Sequence, residues 1–398
     1  MIVTFNKEAL NAAVSPALSA VSTKNTITAI EGICIEANAD GSCILSAYDL
    51  EKGIRCTLRG NVERAGSYIL NGQKLAQIIR SMPSDIRIEV CENHQAKITS
   101  EQSEFTLNAM PGEEFPTMPD LRGEVGFTLY SSEMKDMIAK TLYAVAVNEP
   151  RPALNGIYFR VQKEMITVVS TDSFRLSVCK KKMNLENDVS AEDLDFSMIV
   201  PGKAVQELLK MLSDDDALVK VQTTKKHIVF NMDNICFFSR LIDAEYVQYE
   251  KFIPKNPATF VSVECDRLRE ALERASLVTE DKSSTQSKSY VRFSFEDQLL
   301  KVSAKAVNGA AYEEVPVEKE GPDLSIGFNC RYMLDALRVC DTKFIRIAFV
   351  SPLVSAVIRA DEAKRTEDEE KAIEKKKEKR GVQKEEYTHL VVPLHMTD

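Results

Sequence analysis

Apolar positions along this chain recur at two periods, and the switch from one to the other repeats three times. Short runs alternate apolar and polar side chains, as strands with one buried face do: IVTF from Ile2, GFTLY from Gly126 and TFVSV from Thr259. Each leads into a stretch with apolar residues at helical spacing, over residues 8–22, 133–146 and 265–278. A second helical trio follows further on: LNGQKLAQIIRSM from Leu70, VPGKAVQELLKML from Val200 and FNCRYMLDALRVC from Phe328, at offsets of 130 and 128 residues. Asn71, Pro201 and Asn329 stand at their starts as cap or turn residues. Ile30-Glu31-Gly32-Ile33 resembles Leu154-Asn155-Gly156-Ile157, and Asp49 and Asp172 fall 17 and 16 residues beyond those glycines. The alternating runs IRIEV, LVKVQ and IRIAFV close the three copies. The pattern predicts an α+β chain of three repeated domains, 1–124, 125–257 and 258–398, each β-rich with two helices.

One segment interrupts the pattern. Residues 361–386 carry 10 acidic and 9 basic side chains where the other copies make short turns, so they read as an insertion. Opposite charges at i,i+4, such as Asp361/Arg365 and Glu367/Lys371, suit a solvated helix or a flexible loop.

Composition narrows the function classes. The 398 residues are 44% hydrophobic and 28% charged, which excludes a disordered or collagen-like chain. No apolar run approaches the roughly 18 residues of a membrane span, and the opening MIVTFNKEAL lacks a charged-then-apolar signal layout. The nine cysteines are scattered without a CxxC pair, the usage of buried thiols in a reducing compartment; a cytoplasmic location is expected. Phosphate-loop, dinucleotide, HExxH and GxSxG motifs are all missing, and the four histidines have no carboxylate or cysteine at ligand spacing. Asp49 and Asp172 read as turn formers bonding their own backbone rather than as an acid–base pair. Neither a catalytic site, a metal nor a cofactor is expected.

The net charge of −9 argues weakly against a nucleic-acid partner, yet the placement of the basic residues points the other way. Gln73/Arg80, Lys203/Lys210 and Arg331/Arg338 occupy matched positions in the second helix of each copy. A separation of seven residues is nearly two turns, so each pair shares one helix face. Lys135/Lys140 and Arg269/Arg274 continue the trend on the first helices. Wet helix faces often carry Lys and Arg, but coincidence at matched positions in three copies favours a shared anionic ligand. Without a base-reading motif, that ligand would be a phosphate backbone.

Sequence blocks spread over nearly the whole chain then carry a resemblance. FTLNAMPGEEFP (105–116), LNGIYF (154–159), STDSFRLSV (170–178), IVPGKAVQELLKML (199–212), SRLIDAEYVQYEKFIPKNP (239–257), GFNCRYMLDAL (327–337) and HLVVPL (389–394) resemble the bacterial replicative sliding clamps, the beta subunits of the DNA polymerase III holoenzyme. That resemblance implies three DNA-clamp domains per protomer and a head-to-tail homodimeric ring around duplex DNA, bound without sequence specificity. Helices would line the hole and antiparallel sheets would form the outside. It implies phosphate contacts at Lys24, Arg80, Arg151, Lys203, Lys210 and Arg331. A dimer contact would set Phe105 and Leu107 against Leu277 and Val278. It also implies a pocket for short linear peptides of the replicative polymerase, clamp loader and repair proteins. Carried over, the pocket comprises Leu154, Thr171, Ser173, Phe174, Arg175, Leu176, Val247, Lys251, Phe252, Asn329, Tyr332, Leu353 and Ser355, with Val391, Val392, Pro393, Leu394 and His395.

The chain departs from the family in several places. Val247 stands where proline is usual, Ser173-Phe174 where glycine-histidine is frequent, and the C-terminal run differs from Met-Pro-Met-Arg-Leu. Gln73 and Gly202 stand where basic residues are common. The expected function is a non-enzymatic processivity clamp. A repeated scaffold that recruits proteins without encircling DNA is the alternative, and a hydrolase using Asp49 and Asp172 ranks third.

Overall fold

A computed structural model describes residues 1–22, 27–119, 125–183, 194–279, 290–306 and 309–396. Lys24 lies outside them. The chain forms two compact units, one gathering Met1–Ser132 with Gln206–Leu241, the other Glu133–Leu185 with Ser190–Val205 and Ile242–Asp398.

The first unit is built on a thirteen-stranded sheet whose strand pairs are all antiparallel. Strands of the first and middle repeats join in it where Ile235–Arg240 pairs with Lys52–Arg59, Ile235 facing Cys56 and Ser239 facing Lys52. The second unit has a nine-stranded and a four-stranded sheet. Its long sheet joins middle and last repeats, because Arg175–Met183 pairs with Val382–Val391 in the register Arg175↔Val391, Leu176↔Leu390. Sheet pairing across repeats is thus the reason that compactness divides the chain inside the middle repeat.

Helices fall where the periodicity predicts. The first trio is α1 (Lys7–Ala17), α3 (Ser131–Leu142) and α5 (Cys265–Thr279); the second is α2 (Gly72–Ser81), α4 (Gly202–Met211) and α6 (Cys330–Arg338). Helix α2 buries Leu75, Ala76, Ile78 and Ile79 and leaves Gln73, Lys74, Gln77 and Arg80 outside. Each fully buried Leu or Ile stabilises the docked helix by about 1.5–3 kcal/mol. The side chains of Asn71 and Asn329 accept from the backbone N–H of Lys74 and Tyr332, the N-caps read from sequence. Pro201 ends a strand instead, and α4 begins one residue later. Gly32 and Gly156 each open a strand after a 3-10 turn. A Cβ there would fall 2.2 Å from Ile69 Cγ2 and 2.6 Å from Ile199 Cγ2, which explains the repeated glycine.

The charged insertion forms a seventh helix, α7 (Glu367–Arg380), and ends at Gly381 rather than at residue 386, since Val382–Val391 is a strand. Its stop and start are local. Thr366 and Glu369 form a reciprocal capping box, four acidic residues fill the first turn, three basic residues fill the last, and Gly381 takes φ +64°. The Glu367–Lys371 pair forms at 3.7 Å, but Arg365 pairs with Glu362 at 3.5 Å instead of Asp361. Buried Asp361 is occupied in accepting from the Ala363 N–H.

Lys140 corrects the expectation of an exposed basic face on α3. It is 2% exposed and bonds Asp136 at 3.1 Å, Asp341 at 2.8 Å and Glu385. Lys181, fully buried, bonds Glu133 at 2.6 Å, Glu385 at 3.3 Å and Asp136. Helix α7 joins this network through Arg380–Glu133 at 3.1 Å and Lys376–Glu385 at 3.3 Å. Glu133, Asp136 and Glu385 bring carboxylate oxygens within 4.8 Å of one another, but the two ammonium groups sit among them and supply the positive charge a metal would.

Candidate functional site

The second unit assembles much of the expected pocket on one sheet face. The strand Arg175–Met183 lies between Met165–Thr171 and Val382–Val391, so Leu176 sits beside Leu390, and the two pack with Val169, Val178, Tyr249 and Val357. Val247 and Val392 close on this cluster, with Ile253 and the stacked pair Tyr158–Tyr246, ring centres 4.8 Å apart. Leu154 and Thr171 are buried, whereas Phe174 is 55%, Phe252 52% and Leu353 69% exposed. Large apolar side chains left that open around a packed floor fit a groove for a peptide.

A tight turn shapes one wall. Asp172 Oδ1 accepts from the Phe174 and Arg175 N–H groups, both at 3.0 Å, while Ser173 takes φ +77°. Asp49 does the same job in the first repeat, accepting from Glu51 and Lys52. Both aspartates are therefore turn formers, as the sequence indicated. The turn aims the Arg175 guanidinium at Asp172 (3.0 Å) and Asp335 (2.5 Å), above the rings of Tyr332 (4.6 Å) and Tyr143 (5.2 Å). Burial opposes its charge, but Asp335 and Asp172 outweigh that and raise its pKa. Phe174 stacks on Tyr332, ring centres 6.1 Å apart. Asn329 caps α6 under that ring, and the closing run is tied in by Val392 N–H to Phe174 C=O at 2.9 Å and Leu394 N–H to Gly327 C=O at 2.8 Å. Asp335, Tyr143 and Tyr246 were missed by sequence reasoning. Asp335 stands one turn beyond Tyr332 on α6, which was the available signal.

Within the closing run, Val391 differs from its neighbours. It is fully buried and pairs with both Arg175 and Ala356, so it belongs to the core. Lys251 and His395 are exposed, and Ser355 and Pro393 are half-buried.

Among the phosphate candidates, Arg80, Lys203 and Arg331 are exposed and make no ion pair among the described residues. Lys210 is exposed and held by Glu207 at 2.9 Å. Arg338 pairs with Glu273 and Asp335, and Arg274 with Glu313. Arg151 lies apart from the helix stripes: it donates to Glu149 and to the Ser173 hydroxyl, both at 2.7 Å, at the pocket's turn.

Phe105 is 42% exposed on Ser103–Pro111, a strand paired on one side through Ser103–Asn108 but on the other only through Ala109–Pro111. Among the described residues, the backbone edge of residues 103–108 is therefore unpaired. Leu277 is 82% exposed near the end of α5, with Val278 half-buried beside it. In the same unit Gly309–Pro316 ends the four-stranded sheet, its outer edge unpaired among the described residues.

Repeated α+β units that carry basic residues on exposed helix faces, with unpaired strand edges among the described residues and an apolar surface cluster, match the DNA-clamp class. Comparison with known proteins gives the family. Models of the DNA polymerase III beta subunit match its N-terminal domain over residues 1–119, its central domain over 128–248 and its C-terminal domain over 250–371. The beta sliding clamp of Bacillus subtilis is 29% identical over 368 residues, 89% of this chain and 95% of the relative. That of Staphylococcus aureus is 30% identical over 353 residues, 86% and 91%. Solved clamps from B. subtilis (TM-score 0.87, 27% identity) and from Pseudomonas aeruginosa bound to griselimycin (0.85, 26%) are covered over their full lengths, as is this chain. The chain belongs to the DNA polymerase III beta subunit family, the beta sliding clamps. A member of this family is a processivity factor, not a catalytic enzyme.

Proposed function

We propose that two copies of this chain close head to tail into a ring that encircles duplex DNA and tethers the replicative polymerase in the cytoplasm. The domains are 1–124, 125–257 and 258–398. The observation that carries this reading is the recurrence of exposed cations at repeat-matched positions, Arg80, Lys203/Lys210 and Arg331, on a chain of net charge −9. Lys24, and Arg151 although it lies off the helix stripes, complete the proposed phosphate contacts. Contacts of this kind hold DNA without reading its sequence and leave the ring free to slide. Phe105 and Leu107 on one protomer meet Leu277 and Val278 on its partner, next to the open strand edges. The groove around Leu176, Phe174 and Tyr332 takes the linear peptides of polymerase, clamp loader and repair proteins.

Topology provides the test. A protein held by charge alone leaves DNA at high salt whatever the DNA's ends, because each neutralised phosphate contributes a slope of about −0.9 in log K against log salt. After loading onto a nicked circle, this protein should persist through a high-salt wash and run off once the circle is cut. Equal loss from circular and linear DNA would reject encirclement and favour a recruiting scaffold.

A further inference from the structure

The charged helix α7 roofs a cleft of about 720 Å³ over the strands Arg175–Met183 and Val382–Val391. We propose that this cleft is a second subsite of the peptide groove, taking an acidic flank of a linear peptide whose apolar core lies in the pocket. The proposal rests on the pocket reading above.

Three observations carry it. The first is continuity. Along the strand register, Leu176↔Leu390, Val178↔Thr388 and Lys180↔Glu386 project successively from one sheet face, spaced by about 7 Å. Leu176 and Leu390 belong to the apolar floor of the pocket, whereas Lys180, Glu386 and Thr388 line the cleft. Val178 and Ile253 belong to both, so the cleft borders the apolar cluster directly.

The second is how α7 is held. None of its fourteen residues is buried. It is fastened near its ends, by Glu369 accepting the Lys343 N–H at 2.6 Å and by the Lys376 and Arg380 ion pairs. Between those ties Ile373, the one large aliphatic residue of the helix, lines the cleft while 44% exposed. Ile373 thereby offers an apolar contact inside the cleft to a bound chain. A helix of this length spans about 21 Å, room for about six residues of extended peptide.

The third is charge. The cleft's carboxylates are answered internally: Glu385 by Lys376, Glu362 by Arg365, Glu386 by Lys384, and Glu369 by the helix cap. Asp341 is bound by Lys140. Two floor cations have no carboxylate partner among the described residues. Lys180 makes no ion pair, because Glu386 opposite it is taken, and Arg359 donates only to the Thr388 hydroxyl at 3.1 Å. The lining carries five cations and five carboxylates, but the carboxylates are already held, so Lys180 and Arg359 are the charges left for a ligand and the complementary flank is acidic.

The test compares three probes by fluorescence anisotropy with the full chain. One is a synthetic glutamine-and-leucine-rich pentapeptide. The second carries a six-residue Glu/Leu flank, added at either end in turn, and the third has Lys for each flanking Glu. One Glu-flanked peptide should bind about five- to tenfold tighter than the core peptide, and the Lys-flanked one should not. Lys180→Glu with Arg359→Glu, and separately Ile373→Asp, should abolish that gain while leaving core-peptide affinity unchanged. Arg359 and Ile373 are exposed and Lys180 is half-buried, none of them in the core, so native circular dichroism is expected in all variants. A core peptide that binds while neither flank improves it, or a gain that survives in both variants, overturns the second subsite alone. A core peptide that fails to bind overturns the pocket and this extension together. A change of sedimentation on Ile373→Asp would assign the cleft to a second copy of the chain and overturn the peptide proposal.

Discussion

Lys181→Met should destabilise this protein more than any single surface change, and the buried network sets the size. Four cations (Lys140, Lys181, Lys376 and Arg380) face four carboxylates (Glu133, Asp136, Asp341 and Glu385). Lys181 is 0% and Glu133 1% exposed. Methionine matches the volume of the lysine stem but leaves one carboxylate charge uncompensated away from water. Breaking a buried pair in this way costs about 3–5 kcal/mol. At roughly 2–4 °C per kcal/mol for a unit of this size, the melting temperature should fall by about 10 °C at pH 7.

The direction with pH is also defined. Burial pushes the Glu385 carboxyl up, but Lys181, Lys140 and Lys376 together hold it well below the ordinary carboxylate range. A carboxylate depressed in the folded state stabilises it above the unfolded pKa of 4.5, and that stability is lost as pH falls through the folded value. Without Lys181 burial is less opposed and the surplus carboxylate takes up a proton in mild acid. The gap between variant and parent should therefore narrow from pH 7 to pH 4. Adding Glu133→Gln restores the charge balance and should recover about half of the lost stability. The assay is thermal unfolding followed by circular dichroism at pH 7, 5.5 and 4. A fall of under 2 °C at pH 7, a gap that widens in acid, or a double variant no better than the single one would refute the reasoning.

Other outcomes follow from the same geometry. His389 is fully buried, and the Ser177 hydroxyl, which donates to the Lys140 carbonyl at 2.6 Å, accepts from its Nδ1–H at 2.9 Å. Burial and then Lys140 push this histidine down to about 3, so below its ordinary 6.5 the unfolded state binds the proton first. The parent should lose up to about 1.4 kcal/mol per pH unit between pH 6.5 and 3 from this group, and His389→Asn should show a flatter profile in thermal melts. Phe105→Asp with Leu277→Asp should weaken the dimer at least about 100-fold while circular dichroism stays native, and sedimentation equilibrium that still finds dimers would sink the interface. Phe174→Ala with Leu353→Asp should weaken binding of a glutamine-and-leucine-rich peptide by about tenfold or more, with unchanged melting, because both side chains are mostly exposed. Unchanged affinity by titration calorimetry would remove them from the pocket.

Much of this protein is legible from local pattern alone. The six repeat helices, the Asn71 and Asn329 caps and the turn-forming Asp49 and Asp172 all follow from interactions among residues close in sequence. So does α7, whose capping box, end charges and Gly381 define a helix without any packing. Burial of Lys140 and Lys181 is a different matter. On α3 a lysine at helical spacing reads as a wet face, and it is buried because Glu385, 245 residues away, is brought beside it by the pairing of two distant strands. The same pairing sets Leu176 beside Leu390 and carries the pocket floor on toward α7. Helix and turn signals arise within a few residues, where bond geometry and one or two hydrogen bonds decide. Charge balance and groove shape depend on the register of strands some 200 residues apart, and only the tertiary structure sets that register.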